Sequence, residues 1–554
     1  MKILPYLLLI IVLMAVFFLA CYPIESSNDV WWHLKTGKYL LEKELFPKHD
    51  VFSLSGAELD WANHEWLSDI AIWLCYKGLG FKGLVLLKSF WIVAIFLLVF
   101  WLCYRKSRQI YVAVFFTLLA GLAAQYTLYL RPPLFSYMGV AVLMHLIHNI
   151  SINKNRPLSI LGIAVLMALW INLHGGAILG PVILGLYACG YFVETLCKPC
   201  DEAVSKQNWL LTKLFIGVTI LAALATLLNP YGYHIHMLTY KIMSDKSLVG
   251  IIGELQAPDF HHTRGYEIMI LGGLMLGWFA SKRPKIGELL VLLFFLHQSL
   301  NHVRHLPLFG IIAAPILSEQ YGNLYESLKE KGNRLWIVPS SQFLIIIFAF
   351  ATLVGGFSSI NKQVKIDFIR FLKSEGVIYE AYPVETADFI KYMKLPGQMY
   401  NPINFAGYLI WALSPETTKV LTDSRFDIHG SECVIRVMSV EEANQKPVYL
   451  LPRYFTKERF ESMSNEELAK PFWRWVLDHY NINYIVTGMG SRLSLYLREN
   501  NKGWIRIFQQ MPAKVGYRDY GGYEIYIRDI PENNPWIERA KKMAVGNRLM
   551  GNAN

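Results

Sequence analysis

Apolar segments recur along this chain near residues 4–21, 80–103, 110–129, 134–150, 158–173, 176–193, 209–228, 266–280, 286–300, 306–318 and 341–358. A helix of roughly 20 apolar residues crosses a hydrocarbon core of roughly 30 Å and satisfies its own backbone, as a water-free medium demands. The recurrence predicts a polytopic α-helical membrane protein with about eleven spans. A soluble globular chain is excluded, because 54% of the 554 residues are hydrophobic and only 17% charged. The opening run "ILPYLLLIIVLMAVFFLACY" is long for a cleaved signal and many further spans follow it, so it reads as the first span.

Placing the N-terminus inside gives the alternate loops "RKSR", "NKNR", "KPCDEAVSK", "SKRPK" and "KEKGNR" to the cytoplasm, and all are rich in Lys and Arg, as the positive-inside rule requires. The formal charge of +11 is spread over these short loops, which argues against a nucleic-acid-binding surface. The seven Cys are scattered, mostly inside apolar segments, and imply no disulfide framework; the lone "CKPC" (Cys197, Cys200) has no second pair to make a metal site. An odd number of spans then puts the C-terminal part outside, on the side of the remaining loops.

The opposite loops read differently: "DVWWHL", "NHEWL", "LRPPLF", "NLHGG", "NPYGYHIH", "APDFHHTRG" and "NHVRH". About ten of the fifteen His fall at outer span ends or in outer loops. Imidazole titrates near neutral pH, so this one-sided placement points to a chemical site on the outer face; tolerance of the interfacial zone is the competing explanation. In the long first outer loop, 22–79, the pattern "DVWWHLKTGKYLLEKE" predicts an amphipathic helix in the headgroup plane, Lys35, Lys38, Glu42 and Lys43 toward water. Asp29 at its start either caps it or has a chemical task, since a carboxylate at a bundle mouth needs a partner or a role.

Asp29, His33, His64 and Glu65 are the candidate catalytic residues. Asp50, Arg131, His174, Tyr231, His302, Arg304 and His305 are the candidate substrate-binding residues. His64 is followed four residues later by Ser68, so "HEWLS" is not a zinc-binding HExxH. Arg131 and Arg304 are isolated cations at span ends; they either snorkel to headgroups or bind an anion, for which a planar guanidinium suits a phosphate. "NLHGG" and "NPYG" break their helices where a headgroup would approach. No metal site is assigned and no cofactor is required, although a divalent metal stays open.

From about Asp367 the composition becomes water-soluble, and residues 361–554 read as an α/β domain beyond the membrane part, 1–360. Helix-like "VETADFIKYMKL" and "PFWRWVLDHY" alternate with strand-like "KVLTD", "NYIVTG" and "GGYEIYIRD". Asp423, Arg425 and Asp427 in "TDSRFDIHG" either contact an acceptor or tie a turn.

Many helices, an acidic residue in a long first outer loop with an interfacial helix, basic groups at outer mouths and a terminal soluble domain together resemble the GT-C fold glycosyltransferases. Members include the protein O-mannosyltransferases, the lipid A aminoarabinose transferase and the oligosaccharyltransferase catalytic subunit. More narrowly, "NDVWWHLKTGKYLLEKELFPKHDVFS…WANHEWL", "NLHGG", "NPYG", "HVRHLPLF" and "FAGYLIWALSPETTKVLTDSR" are similar, over nearly the whole chain, to a widespread group of bacterial membrane proteins regarded as GT-C-like. The resemblance implies sugar transfer from a polyprenyl-phosphate carrier to a glycan, lipid or protein acceptor, with Asp29 in the place of the first-loop catalytic acid. The "WWDYG" of oligosaccharyltransferases is absent and no acidic pair follows the first span, so acceptor class and metal dependence do not carry over. A lipid-linked glycan polymerase or ligase, a lipid or glycan transporter, and a non-catalytic assembly protein are the competing functions. A transporter should show paired broken helices with polar groups at mid-membrane, whereas here the polar groups lie at one boundary.

Overall fold

The computed structural model describes residues 4–24, 28–197, 202–261, 263–279, 282–330, 366–452, 455, 457–500, 503–515 and 518–551. The N-terminal part is helical: α1 (Leu4–Ala20), α2 (Asp29–Glu42), α3 (Trp66–Ser107), α4 (Ile110–Ala124), α5 (Pro133–Ser151), α6 (Arg156–Leu173), α7 (Leu179–Cys197), α8 (Glu202–Ala225), α9 (His234–Ser244), α10 (Lys246–Ile251), α11 (Arg264–Phe279), α12 (Ile286–Asn301) and α13 (Leu306–Glu330). Every apolar segment expected before residue 320 coincides with one of these helices; the segment 341–358 lies outside the described residues. By length and apolarity five described helices can cross a membrane, α3, α5, α6, α7 (extended to Gly175) and α8; Leu9–Ala20, α4 and α12 are apolar but shorter.

α3 explains the first outer loop. Its backbone breaks at Gly80, where φ is 64° and ψ −169°, a conformation that a side chain would strain. Phe81 to Ser107 continues into the bundle, while Trp66 to Leu79 stands outside the bundle core. There Ile72 and Trp73 join α2 and the C-terminal domain in a second core with Trp31, Phe52, Tyr382, Tyr408 and Val486. The headgroup-plane expectation for α2 is therefore corrected. Val30 to Gly37 are all buried, and Lys35 reaches Glu416 of the C-terminal domain at 2.8 Å instead of water. Aromatic density is the reason: Trp31 packs edge-on against Phe81, Tyr382 and Tyr408 at centroid distances of 5.3, 4.9 and 4.9 Å.

α2 and α3 cross backbone to backbone. A Cβ on Gly37 would sit 2.1 Å from the Asp69 carbonyl oxygen. Gly37→Ala is therefore expected to lower stability by about 1–3 kcal/mol, overriding alanine's better helix propensity, and to loosen the His33–Asp69 contact one turn away; thermal unfolding in detergent measures the first.

The C-terminal domain holds helices α14 (Val384–Met393), α15 (Ala406–Leu413), α16 (Phe426–Glu441), α17 (Phe472–His479), α18 (Arg492–Asn500) and α19 (Asn534–Gly551). Its strands are β1 (Gln398–Tyr400), β2 (Ile482–Gly488), β3 (Trp504–Gln510), β4 (Ala513–Val515), β5 (Arg518–Tyr520) and β6 (Tyr523–Arg528). A four-stranded sheet runs β1-β2-β6-β3, with β1 parallel to β2 and the other pairs antiparallel; β4 and β5 pair antiparallel in a separate two-stranded sheet. Side chains alternate across the sheet: Tyr484, Val486, Ile525 and Ile527 enter the core shared with α2, and Ile485 and Tyr526 enter a core on the other face. The expected strand "KVLTD" is not in this sheet. Val420 instead pairs with Ser53 in an isolated parallel bridge, so the segment clasps the first outer loop.

Candidate functional site

Seven of the expected site residues, Asp29, His33, His64, Glu65, Arg131, His174 and Arg304, gather where α2, the start of α3 and the turns before α5, after α6 and before α13 meet beneath the C-terminal domain. Asp29 occupies the first turn of α2, one position inside Asn28, which holds the N-cap position. The capping role is thus corrected: Asp29 Oδ2 stands 3.1 Å from Arg131 Nε, and Oδ1 accepts from Ser424 Oγ at 2.6 Å. Arg131 is paired on its other side with Glu254. Arg304 has no carboxylate within salt-bridge distance among the described residues, but Glu254 acts on it electrostatically, and its Nη2 lies 3.2 Å from the Met243 sulfur.

One turn along α2, His33 is buried with Nδ1 2.6 Å from Asp69 Oδ1, and Asn63 Nδ2 donates to Asp69 Oδ2 at 2.8 Å. Burial alone would push the His33 pKa down. The Asp69 hydrogen bond and charge, helped by Glu65 and Asp29, outweigh it and raise His33 above its ordinary value.

Glu65 lies between imidazoles. Its Oε1 is 3.7 Å from His64 Nε2 and 3.6 Å from His174 Nε2. Burial raises its carboxyl to about 7, with Asp69 and Asp427 adding to the rise and His64 and His33 opposing it. A carboxylic acid poised at neutrality can accept a proton from a hydroxyl and return it.

The His174 tautomer follows from its partners. Gly176 N donates to His174 Nδ1 at 3.0 Å, which requires a lone pair there, so the Ser136 hydroxyl, itself accepting from Trp170 Nε1 at 2.8 Å, donates to the same Nδ1 at 2.6 Å. Nδ1 is therefore an acceptor and the ring proton sits on Nε2, toward Glu65. Burial, with His64, Arg304 and His33 nearby, keeps this ring neutral by holding its pKa well below the ordinary value. A protonated Nε2 donates a hydrogen bond and does not bind a metal.

Behind the site the C-terminal segment Asp423 to His429 divides its side chains between two faces. Ser424 and Asp427 face the site, the latter with Oδ2 3.8 Å from His64 Nδ1. Asp423 and Arg425 face the other way into a buried ion cluster. Arg425 Nη1 meets Asp50 Oδ1 at 2.9 Å, and its Nη2 meets Asp423 Oδ2 at 2.7 Å and Asp50 Oδ2 at 3.0 Å. Trp61, Phe52 and Trp32 ring the guanidinium at 5.1, 5.4 and 6.0 Å. Asp50 also accepts from the Phe52 and Ser53 backbone amides, at 3.0 and 3.2 Å.

The substrate-binding expectation for Asp50 is therefore corrected, because its oxygens are committed to a turn and to Arg425. Asp50, Asp423 and His429 have ligand atoms within 4.8 Å of one another, a donor set suited to a divalent cation. Arg425 already supplies the countercharge there, so a second cation would be repelled.

Of the other expected residues, His302 donates from Nδ1 to the Leu255 carbonyl at 2.8 Å and stands 5.5 Å from the His305 ring. His305 is held neutral, its pKa pushed down to about 3 by burial and then by Arg304 and His302. Tyr231 packs edge-on to Phe46 at 6.2 Å and lies close enough to the Asn63 backbone and to Asp69 for both to act on its hydroxyl, which puts it at the edge of the same cluster.

Asp69, Ser136, Glu254 and Ser424 were not singled out from the sequence. Asp69 carried a readable signal, a carboxylate within the apolar entry of a spanning helix. Ser424 carried none, since only folding brings it 395 positions back to Asp29.

No protein-family model matches the chain, and neither does any curated protein. Among solved structures it is similar to the archaeal oligosaccharyltransferase AglB from Archaeoglobus fulgidus, solved in complex with an inhibitory peptide and a dolichol-phosphate. The TM-score is 0.51 at 10% sequence identity, covering 90% of this chain and 70% of that one. At that identity the likeness is one of architecture, and this protein has a GT-C-like, multi-pass membrane fold with a small C-terminal sheet region.

Proposed function

We propose that the protein is a membrane glycosyltransferase that moves a sugar from a polyprenyl-phosphate carrier to an acceptor hydroxyl at the outer face of a bacterial cytoplasmic membrane. The observation that carries this reading is Glu65. Its carboxyl, raised to about 7, stands among His33, His64 and His174 at the bundle mouth, beside the Asp29–Arg131 pair. Glu65 takes the acceptor proton as the acceptor oxygen bonds to the anomeric carbon. The bond from that carbon to the phosphate oxygen breaks, and its electron pair leaves with the phosphate. Arg131 and Arg304 oppose the charge that develops on the leaving group, and His174 Nε2–H is a neutral donor beside it. A single displacement of this kind needs one base and inverts the anomeric centre.

Asp29, expected from the sequence to be the base, is engaged on one oxygen by a guanidinium and on the other by a hydroxyl. It is better suited to positioning Arg131 against the donor, and Glu65 to proton transfer. The test is to incubate purified protein with labelled polyprenyl-phosphate sugars and membrane extract. Wild type is expected to transfer label, and Asp29→Asn to retain at least tenfold more transfer than Glu65→Gln. A larger loss in Asp29→Asn than in Glu65→Gln returns the base role to Asp29. Tracer crossing sealed vesicles with no transfer makes the protein a transporter.

A further inference from the structure

We propose that Glu254 is a built-in occupant of the carrier-phosphate site: its carboxylate rests on Arg131, next to Arg304, and a polyprenyl-phosphate headgroup binds by displacing it. The proposal rests on the carrier assigned above.

Charge is the first argument. Asp29, Arg131, Glu254 and Arg304 form a sequence of alternating sign that sums to zero. With Glu254 in place an arriving phosphate diester finds no net positive charge and a carboxylate where its own oxygens would bind. With Glu254 withdrawn the remaining three groups carry one positive charge, open to an anionic headgroup, whether the diester of the sugar-loaded carrier or the monoester of the free carrier, which bears about 1.5 to 2 negative charges. A carboxylate and a phosphate diester present the same feature to a guanidinium, oxygens able to accept its forked N–H groups, so one stands in for the other.

The second argument is the place of Glu254 in the fold. Its side chain is 45% exposed against 24% for Arg131, so withdrawal returns the carboxylate to water while the guanidinium stays in the site. It sits on the short turn Gly253–Leu255, and no atom lies within 4 Å of where a Cβ on Gly253 would be. That turn is tied to the one bearing Arg304 by Val303 N to Gln256 O at 2.9 Å and by His302 to Leu255 O at 2.8 Å. Departure of Glu254 therefore acts on the neighbour of the second guanidinium as well.

The test uses the full-length protein in nanodiscs with three probes: polyprenyl phosphate, the matching polyprenol, and inorganic phosphate. Glu254→Gln keeps the shape and removes the competing charge. It is expected to bind polyprenyl phosphate about tenfold or more tightly than wild type, with polyprenol unchanged. In wild type, added polyprenyl phosphate is expected to raise hydrogen–deuterium exchange across residues 246–256, a readout that holds even if the variant folds poorly. Tighter binding confined to inorganic phosphate keeps Glu254 as the occupant but assigns the site to a free anion, which sinks the carrier reading alone. Unchanged or weaker phosphate binding by Glu254→Gln, or unaltered exchange in the wild type on binding, overturns the proposal whether or not transfer is observed.

Discussion

Glu65→Gln is expected to reduce sugar transfer by about a thousandfold while leaving the chain folded, a loss in the range that removal of a general base produces. The amide is isosteric, and a buried carboxyl raised to about 7 already spends much of its time protonated, so packing loses little. The pH profile gives the sharper check. The base form of Glu65 grows as pH rises through about 7, so the rate should climb about tenfold per unit well below that value and level off above it. His33 sets where this happens. Its charge, sustained by Asp69, lowers Glu65, so His33→Gln should move the rise to higher pH, whereas a purely structural role for His33 would scale the rate and leave the midpoint in place. Folding responds in the opposite sense. A carboxyl raised in the folded state contributes its stability below its unfolded range, near pH 4, and that contribution is lost as pH rises through about 7.

Arg425→Ala is expected to cost about 3–5 kcal/mol of stability, because it leaves Asp50 and Asp423 buried with no cation between them. Both carboxylates are fully enclosed, and Arg425 with His429 holds Asp423 well below the usual carboxylate range. The cluster joins the first outer loop to the C-terminal domain, so its failure should separate the two parts and also withdraw Ser424 from Asp29. Thermal unfolding of the detergent-solubilised protein measures the first effect. Replacing the whole triad, with Asp50→Asn and Asp423→Asn beside Arg425→Met, should recover much of the loss, since the penalty lies in the unpaired charges. A single variant as stable as wild type would mean that water reaches the cluster.

The spanning segments were legible because each must satisfy its backbone within itself, and that requirement writes a long apolar run into the chain whatever its neighbours do. β2, β6, α14 and α17 were legible for a related reason: each buries side chains at a period that belongs to its own backbone. β1 and β3 were not. β1 is three residues long, and the pattern of β3 is interrupted by an irregular register between Arg506 and Phe508. For α2 the amphipathic pattern named the element correctly but not its surroundings, because a lipid surface and a protein core reward the same aromatic residues.

Asp29, His64, Glu65, Arg131 and His174 could be picked out from the chain because charged and titratable groups at span ends need a reason to be there. Their pairing could not. A hydrogen bond across 395 positions, from Ser424 to Asp29, leaves no local trace, and neither does the exchange of base and positioning roles proposed between Asp29 and Glu65. The residue types and their placement at the bundle ends belong to the sequence, since local hydropathy and charge dictate them. Which carboxylate meets a guanidinium and which meets imidazoles was decided by tertiary structure, through the contact of Gly37 with the α3 backbone and the docking of the C-terminal domain over both.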